Sequence, residues 1–173
     1  VQVFVSPDPE MMHLGSGKAL GTIRVLTFLD GGDVRLLYAL ARIPSAGNDN
    51  DNFNAGASGN LIAIVDSARG VLGPAWGRRK ASASRSLECF PENPDTGRAI
   101  EGAQVPRWEE VRALVTRAAK ALPQLPSLGW DVAVSRDGVL LIEANANPDI
   151  VGAQVSSGFG ARTLLAPLYR KYG

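Results

Sequence analysis

Three oxygen-bearing side chains in one short hairpin offer the clearest chemistry in this chain: Asp131, Glu143 and Asn145. Leu128 to Ser135 and Val139 to Asn145 read as strands joined through Arg136-Asp137-Gly138. A two-residue Asp137-Gly138 turn would set Asp131 opposite Ala144 and put Glu143 on the face of Trp130 and Val132. A three-residue loop, with Gly138 as a left-handed bulge residue, pairs Ser135 with Val139 and sets Asp131 opposite Glu143. One face then holds Trp130, Val132, Val134, Leu140, Ile142 and Ala144, all apolar. Because a one-residue slip exchanges the faces, burial selects this second register. The two carboxylates then stand roughly 5 Å apart. At an effective dielectric of about 20 they repel by ~3 kcal/mol. A shared proton or a divalent cation would offset that. Asp, Glu and Asn oxygens suit Mg²⁺ or Mn²⁺, with substrate phosphates completing the shell; two solvated acids on an open sheet face are the plain alternative.

Other residues could meet an anion. Arg24 sits in mid-strand on the face of Thr22 and Leu26, a costly place for a charge without a partner. Its planar fork fits phosphate, as does that of Arg42 at a strand end. Asn52 and Asn54 lie in a Gly-containing loop and could donate to phosphate oxygens, although Asn also favours turns. Lys18, between Gly17 and Ala19, is a further phosphate candidate, and Asp8 or Glu10 could take ribose hydroxyls. Their ordinary surface roles compete with these readings. His13 has no visible partner, and Arg78-Arg79-Lys80 reads as a solvated run.

The elements that must position these groups read as follows. Val1 to Val5 alternates like a strand and is stopped by Pro7 and Pro9. Met11 to Gly21, with Gly15 and Gly17, reads as a loop. Thr22 to Leu29 and Val34 to Ile43 flank Asp30-Gly31-Gly32-Asp33 and form a hairpin. Pro44 to Asn60 is an Asn-rich loop of the length that carries function. Leu61 to Val65 and Val71 to Trp76 are short strands, and Arg78 to Glu101 is irregular. Trp108, Val111, Val115, Ala118 and Leu122 recur at helical spacing, closed by Pro123. A last helix covers Ala161 to Tyr172. Hairpins with interposed helices predict an α+β fold with an antiparallel sheet.

Composition narrows the classes. The 173 residues carry 18 Lys+Arg against 17 Asp+Glu, so neither nucleic acid nor an anionic membrane surface is an expected partner. With 45% hydrophobic residues the chain can bury a core. No apolar run reaches the ~20 residues of a membrane span. One cysteine and one histidine support neither an internal disulfide nor a zinc site, which fits a cytoplasmic setting. The sequence opens at Val1 inside an apolar stretch, so a preceding segment of the same polypeptide is expected.

Gly129-Trp130-Asp131-Val132-Ala133 followed by Ile142-Glu143-Ala144-Asn145-Ala146-Asn147-Pro148 resembles the metal-binding end of ATP-grasp enzymes, an Asp and then Glu-x-Asn-x-x-Pro. Gln2-Val3-Phe4-Val5 is similar to the hinge whose backbone meets adenine in that fold. Thr22-Ile23-Arg24, Arg42 and Asn52-Phe53-Asn54-Ala55-Gly56 resemble the elements that face nucleotide phosphates in ligases adding glutamate to protein tails. The closer resemblance is to the sugar-transfer-associated branch, through Asp51 to Gly56, Pro94-Asp95-Thr96-Gly97, Ile100-Glu101-Gly102 and Val105-Pro106-Arg107-Trp108.

The resemblance implies ATP and Mg²⁺ (or Mn²⁺) as cofactors. Asp131, Glu143 and Asn145 would hold the metal; Arg24, Arg42, Asn52 and Asn54 would act on the phosphates; Gln2, Val3, Phe4, Glu10 and Lys18 would contact the nucleotide. It implies ligation of a small-molecule or peptide carboxylate to an amine or other nucleophile through an acyl-phosphate. The chain would then be the C-terminal nucleotide-binding half of the module, with the lysine-bearing half preceding it. A non-catalytic nucleotide-binding fragment and a metal-free scaffold are the alternatives.

Overall fold

The computed structural model describes residues 5–79 and 86–172. Seven strands form one antiparallel sheet: β1 (Thr22–Asp30), β2 (Asp33–Ile43), β3 (Leu61–Val65), β4 (Leu72–Gly77), β5 (Glu88–Phe90), β6 (Ser127–Ser135) and β7 (Gly138–Asn145). Their spatial order is β5-β4-β3-β2-β1-β6-β7, so β1 and β6 meet in the middle although about a hundred residues part them in sequence. The α+β expectation holds. Four helices join the sheet: α1 (Pro9–Leu14), α2 (Trp108–Ala121), α3 (Val151–Ser157) and α4 (Ala161–Tyr172).

Alternation along the strands separates two faces. Ile23 and Val25, Ala39 and Ala41, Leu61 and Ala63, and Val132 and Val134 point one way and are fully or almost fully buried. On that side they meet Trp108, Val111, Val115 and Ala119 of α2, and Met11 and Leu14 of α1. Leu26, Tyr38 and Leu40 point the other way and meet Ala153 of α3, with Ile150 and Leu164 alongside. The α3–α4 segment covers only part of this second face. The uncovered part carries Arg24, Arg42 and Asp131.

Helix α1 replaces the expected loop. Asp8 accepts a hydrogen bond from the Glu10 amide at 2.9 Å, and Pro9 opens the first turn, where its missing N–H costs nothing. Ser6–Asp8 also runs against the end of β6, with the Asp8 amide donating to Val134 O at 3.0 Å. Helix α2 begins at Arg107 in a left-handed conformation, and Glu109 and Glu110 stand in its first turn as the macrodipole favours.

The carboxylate hairpin needs two corrections. The turn is Arg136-Asp137, two residues long, with Ser135 opposite Gly138. The Ser135 hydroxyl donates to Gly138 O at 2.8 Å and accepts from the Asp137 amide at 3.3 Å, which holds the turn tight. A shift between Asp131 and Val132 then inserts one extra residue in β7, and beyond it Asp131 does lie opposite Glu143. Because of the shorter turn, Val139 and Leu141 face the core, while Leu140 and Ile142 are each 44% exposed.

Candidate functional site

One transverse row crosses five strands on the second face, buried at Leu40, Arg24 and Asp131. Ile64 pairs with Leu40, Leu40 with Arg24, Arg24 with Asp131, and Asp131 with Glu143. The row runs from aliphatic at β3 to ionic at β7. Its centre is the Arg24–Asp131 pair. The Arg24 Nε donates to Asp131 Oδ1 and Nη2 donates to Oδ2 at 2.8 Å, the two-pronged arrangement that a planar guanidinium permits. Arg42 adds a third bond to the same carboxylate, from Nη1 to Oδ2 at 3.2 Å.

These arginines answer the repulsion that the acid pair creates. Asp131 is buried and shared by two guanidinium groups, whereas Glu143 is exposed at the sheet edge. A proton or a metal is therefore not required to hold Asp131 in place. For Arg24, burial pulls the pKa down, but the hydrogen bonds and charge of Asp131 outweigh it and the net shift is upward. Arg24 stays charged.

A loop residue completes the network. Asp51 is buried; its Oδ2 accepts from the Thr22 amide at 2.9 Å and from the Thr22 hydroxyl, and its Oδ1 meets Arg42 Nη1 at 3.5 Å. This ties the Asn-rich loop to the start of β1. Asn60 ties the loop to itself. It is fully buried, accepts from the Ser45 amide and the Asn48 side chain, and donates to Asn50 O and Asn52 O, both at 2.9 Å. Between these anchors, Phe53 and Gly56 point inward while Asn52 and Asn54 are exposed. Asn54 and Ala55 adopt left-handed φ of 48° and 50°, and for Ala55 that is a strained conformation.

The result is a cleft of about 320 Å³ whose lining includes Arg24, Arg42, Asn52, Asn54, Asn145, Asn147, Pro148 and Asp149. Five of the residues singled out in the sequence thus share one cavity, although they come from β1, β2, the Asn-rich loop and β7. The amide nitrogen of Asn145 is buried there with no acceptor. Gly129 makes the closure possible: a Cβ on it would lie 2.6 Å from Pro148 Cβ and 3.4 Å from Arg24 Cδ. Pro148 occupies the space a side chain would need.

Other sequence candidates lie elsewhere. Glu10 is exposed on α1 and Lys18 is exposed in the following loop, and neither lines the cleft. Asp8 caps α1. Gln2, Val3 and Phe4 lie outside the described residues. Arg78, read as solvated, is half-buried against Gly56 of the Asn-rich loop. Among the described residues no group of three or more His, Cys, Asp or Glu side chains converges as a ready metal site. Also among them, no helix is long and apolar enough to cross a membrane.

Comparison with known proteins adds one match. A family model described as sugar-transfer associated ATP-grasp matches residues 1–168. No curated protein and no solved structure matches the chain.

Proposed function

The chain belongs to the sugar-transfer associated ATP-grasp family, and from that premise we propose that it uses Mg-ATP to join a carboxylic acid to an amine or related nucleophile. An ATP-dependent, ligase-like function follows from the family; the acyl-phosphate route is our reading of the cleft. The observation that carries it is the convergence of Arg24, Arg42, Asn52, Asn54 and Asn145 on a single cavity.

In this reading the acid's carboxylate oxygen attacks the γ-phosphorus, and the bond to the bridging oxygen breaks to release ADP. The nucleophile then attacks the acyl carbon, phosphate departs, and the nitrogen loses its proton. Arg24 and Arg42 draw the phosphoryl oxygens and stabilise charge that moves onto them. Asn52 and Asn54 donate from the loop, and the unpartnered Asn145 N–H finds its acceptor in a phosphate oxygen. The residues need supply no covalent nucleophile, because position and charge do most of such work.

The donor set fits a divalent cation. Glu143 and the Asn145 amide offer hard oxygens at the edge of the sheet, and Mg²⁺ commonly takes only one or two protein ligands beside phosphates. Asp131 can join them once its arginines turn towards the nucleotide. Mg²⁺, when bound, would neutralise part of the phosphate charge there.

Isothermal titration with Mg-ATP, followed by assay of ADP release with mixtures of acids and amines, tests this. Hydroxylamine should trap the acyl-phosphate as a hydroxamate, and Arg24→Met should abolish it. No Mg-ATP binding at millimolar concentration, or ADP release indifferent to any acid, would overturn the proposal.

A further inference from the structure

A larger cavity of about 790 Å³ adjoins the arginine cleft, and Asn147, Pro148 and Asp149 line both. Its other walls differ sharply in chemistry. Leu26 and Phe28 come from β1, Ile150 precedes α3, and Leu165 and Leu168 come from α4. Among the described residues no Lys, Arg or Glu lines it, which does not suit a second polyanion. The size is that of a pocket for a drug-sized molecule, and the walls are those of an apolar one.

We infer that this cavity takes the apolar body of the carboxylic acid substrate, with the carboxylate directed past Asn147 and Pro148 towards Arg24. The inference rests on the ligase reading and gives it a substrate class: acids with a hydrophobic tail rather than hydrophilic amino or sugar acids. Position along β6 supports the assignment. Ser127 lines the cavity at one end of the strand, Arg24 and Asp131 pair in its middle, and Ser6–Asp8 pairs at its other end near Ser135. Four residues part Ser127 from Asp131, about 13 Å of strand at 3.3 Å per residue, so the apolar cavity lies within reach of the Arg24–Asp131 pair.

The test is ADP release from Mg-ATP, in the presence of hydroxylamine, with acetate, butanoate, hexanoate, octanoate and glutamate as acids. Each buried methylene should raise kcat/KM about fourfold, so the six methylenes between acetate and octanoate give up to about 4,000-fold. Glutamate should resemble acetate. Leu165→Trp, which fills the cavity from half-buried α4, should flatten the series while Mg-ATP affinity stays within twofold; Leu165→Ala should shift the optimum to longer acids. Normal Mg-ATP binding and ADP release without dependence on chain length would overturn this inference and leave the ligase reading standing. Octanoate competing with ATP would place the nucleoside in the cavity and overturn it too. Absence of Mg-ATP binding would bring down the ligase reading, and this assignment with it.

Discussion

Arg24 and Asp131 sit directly opposite each other on β1 and β6, and their two-pronged ion pair holds Arg24 in the wall of the cleft. Burial makes this pair consequential. Side-chain exposure is 9% for Arg24 and 6% for Asp131, so neither charge can turn to water if its partner is lost. Glu143, one strand further out, is exposed and free of that constraint. Neighbouring carboxylates on one face therefore do different jobs: one holds the arginines, the other faces the solvent side.

That difference predicts unequal stability effects. Asp131→Ala strands the Arg24 guanidinium, leaves Arg42 with Asp51 alone and should cost about 3 kcal/mol, the scale for breaking a buried pair from one side. Glu143→Gln should change stability by less than ~0.5 kcal/mol. Both should weaken Mg-ATP binding at least tenfold. Urea denaturation and titration calorimetry separate the two effects. Unaltered Mg-ATP affinity in Glu143→Gln would remove Glu143 from the proposed metal set.

Charge balance predicts a strict metal requirement. Around the arginines stand Arg24 and Arg42 against Asp51, Asp131 and Glu143, two cations for three carboxylates. A bare triphosphate meets a site that is already balanced towards negative. ATP in EDTA should bind at least tenfold more weakly than Mg-ATP, a loss of about 1.4 kcal/mol or more. Equal affinity with and without Mg²⁺ would show that the arginines suffice alone.

Asn60 is the pivot of the Asn-rich loop. Asn60→Ala would leave the buried Ser45 amide and the part-buried Asn50 and Asn52 carbonyls short of partners. A loss of about 2–3 kcal/mol is expected from such unsatisfied groups. Amide hydrogen exchange should rise through residues 45–60 more than in β1 or β6. Unchanged exchange in the loop would mean that Asp51 and Phe53 hold it without Asn60.

Much of this was legible in the residues. The pairing of Asp131 with Glu143, the α2 stripe from Trp108 and the last helix all follow from period and burial. The hairpin turn did not, because two compensating irregularities, a shorter turn and a bulge at Ile142, leave the far end of β7 in the same register. Arg24 announced a need for a partner by its place in an apolar strand. Which partner it would take depended on β6 lying beside β1, a contact that local spacing does not encode. Asp51 and Asn60 were hidden for a similar reason: Asn and Asp in a loop read as turn formers until the backbone groups they satisfy are visible. The apolar cavity left no local signal, since it is built from β1, the turn after β7 and α4.

Gly129→Ala should disturb the junction between the cleft and the apolar cavity. The new methyl would meet Pro148 at 2.6 Å, too close to be absorbed without movement of the Asn147-Pro148 turn. Overpacking of this kind costs about 1–3 kcal/mol. Activity with long acids should fall more than activity with acetate, because the displaced turn walls the apolar cavity that only long acids fill. Equal loss with every acid would place the effect on the Arg24 side chain instead, 3.4 Å from the same methyl.

Tyr38 makes stability depend on pH in a way that can be read apart from function. Burial raises its pKa, opposed by the positive charges of Arg24 and Arg42 and supported by Asp149 and Asp131. The folded phenol therefore holds its proton above the ordinary value of about 10, at which the unfolded chain begins to lose it. Above that pH the folded state binds more protons than the unfolded one, so stability falls as pH rises. The contribution is complete below about pH 10 and disappears through the raised folded pKa. Tyr38→Phe removes this dependence while keeping the ring that packs with Leu26 and Leu40. Denaturation midpoints of the two proteins, compared from pH 8 to pH 11, should diverge only in the alkaline half, with the native protein declining more steeply. Parallel curves would show that the phenol is not retained in its neutral form, and that solvent reaches it between Leu26 and α3.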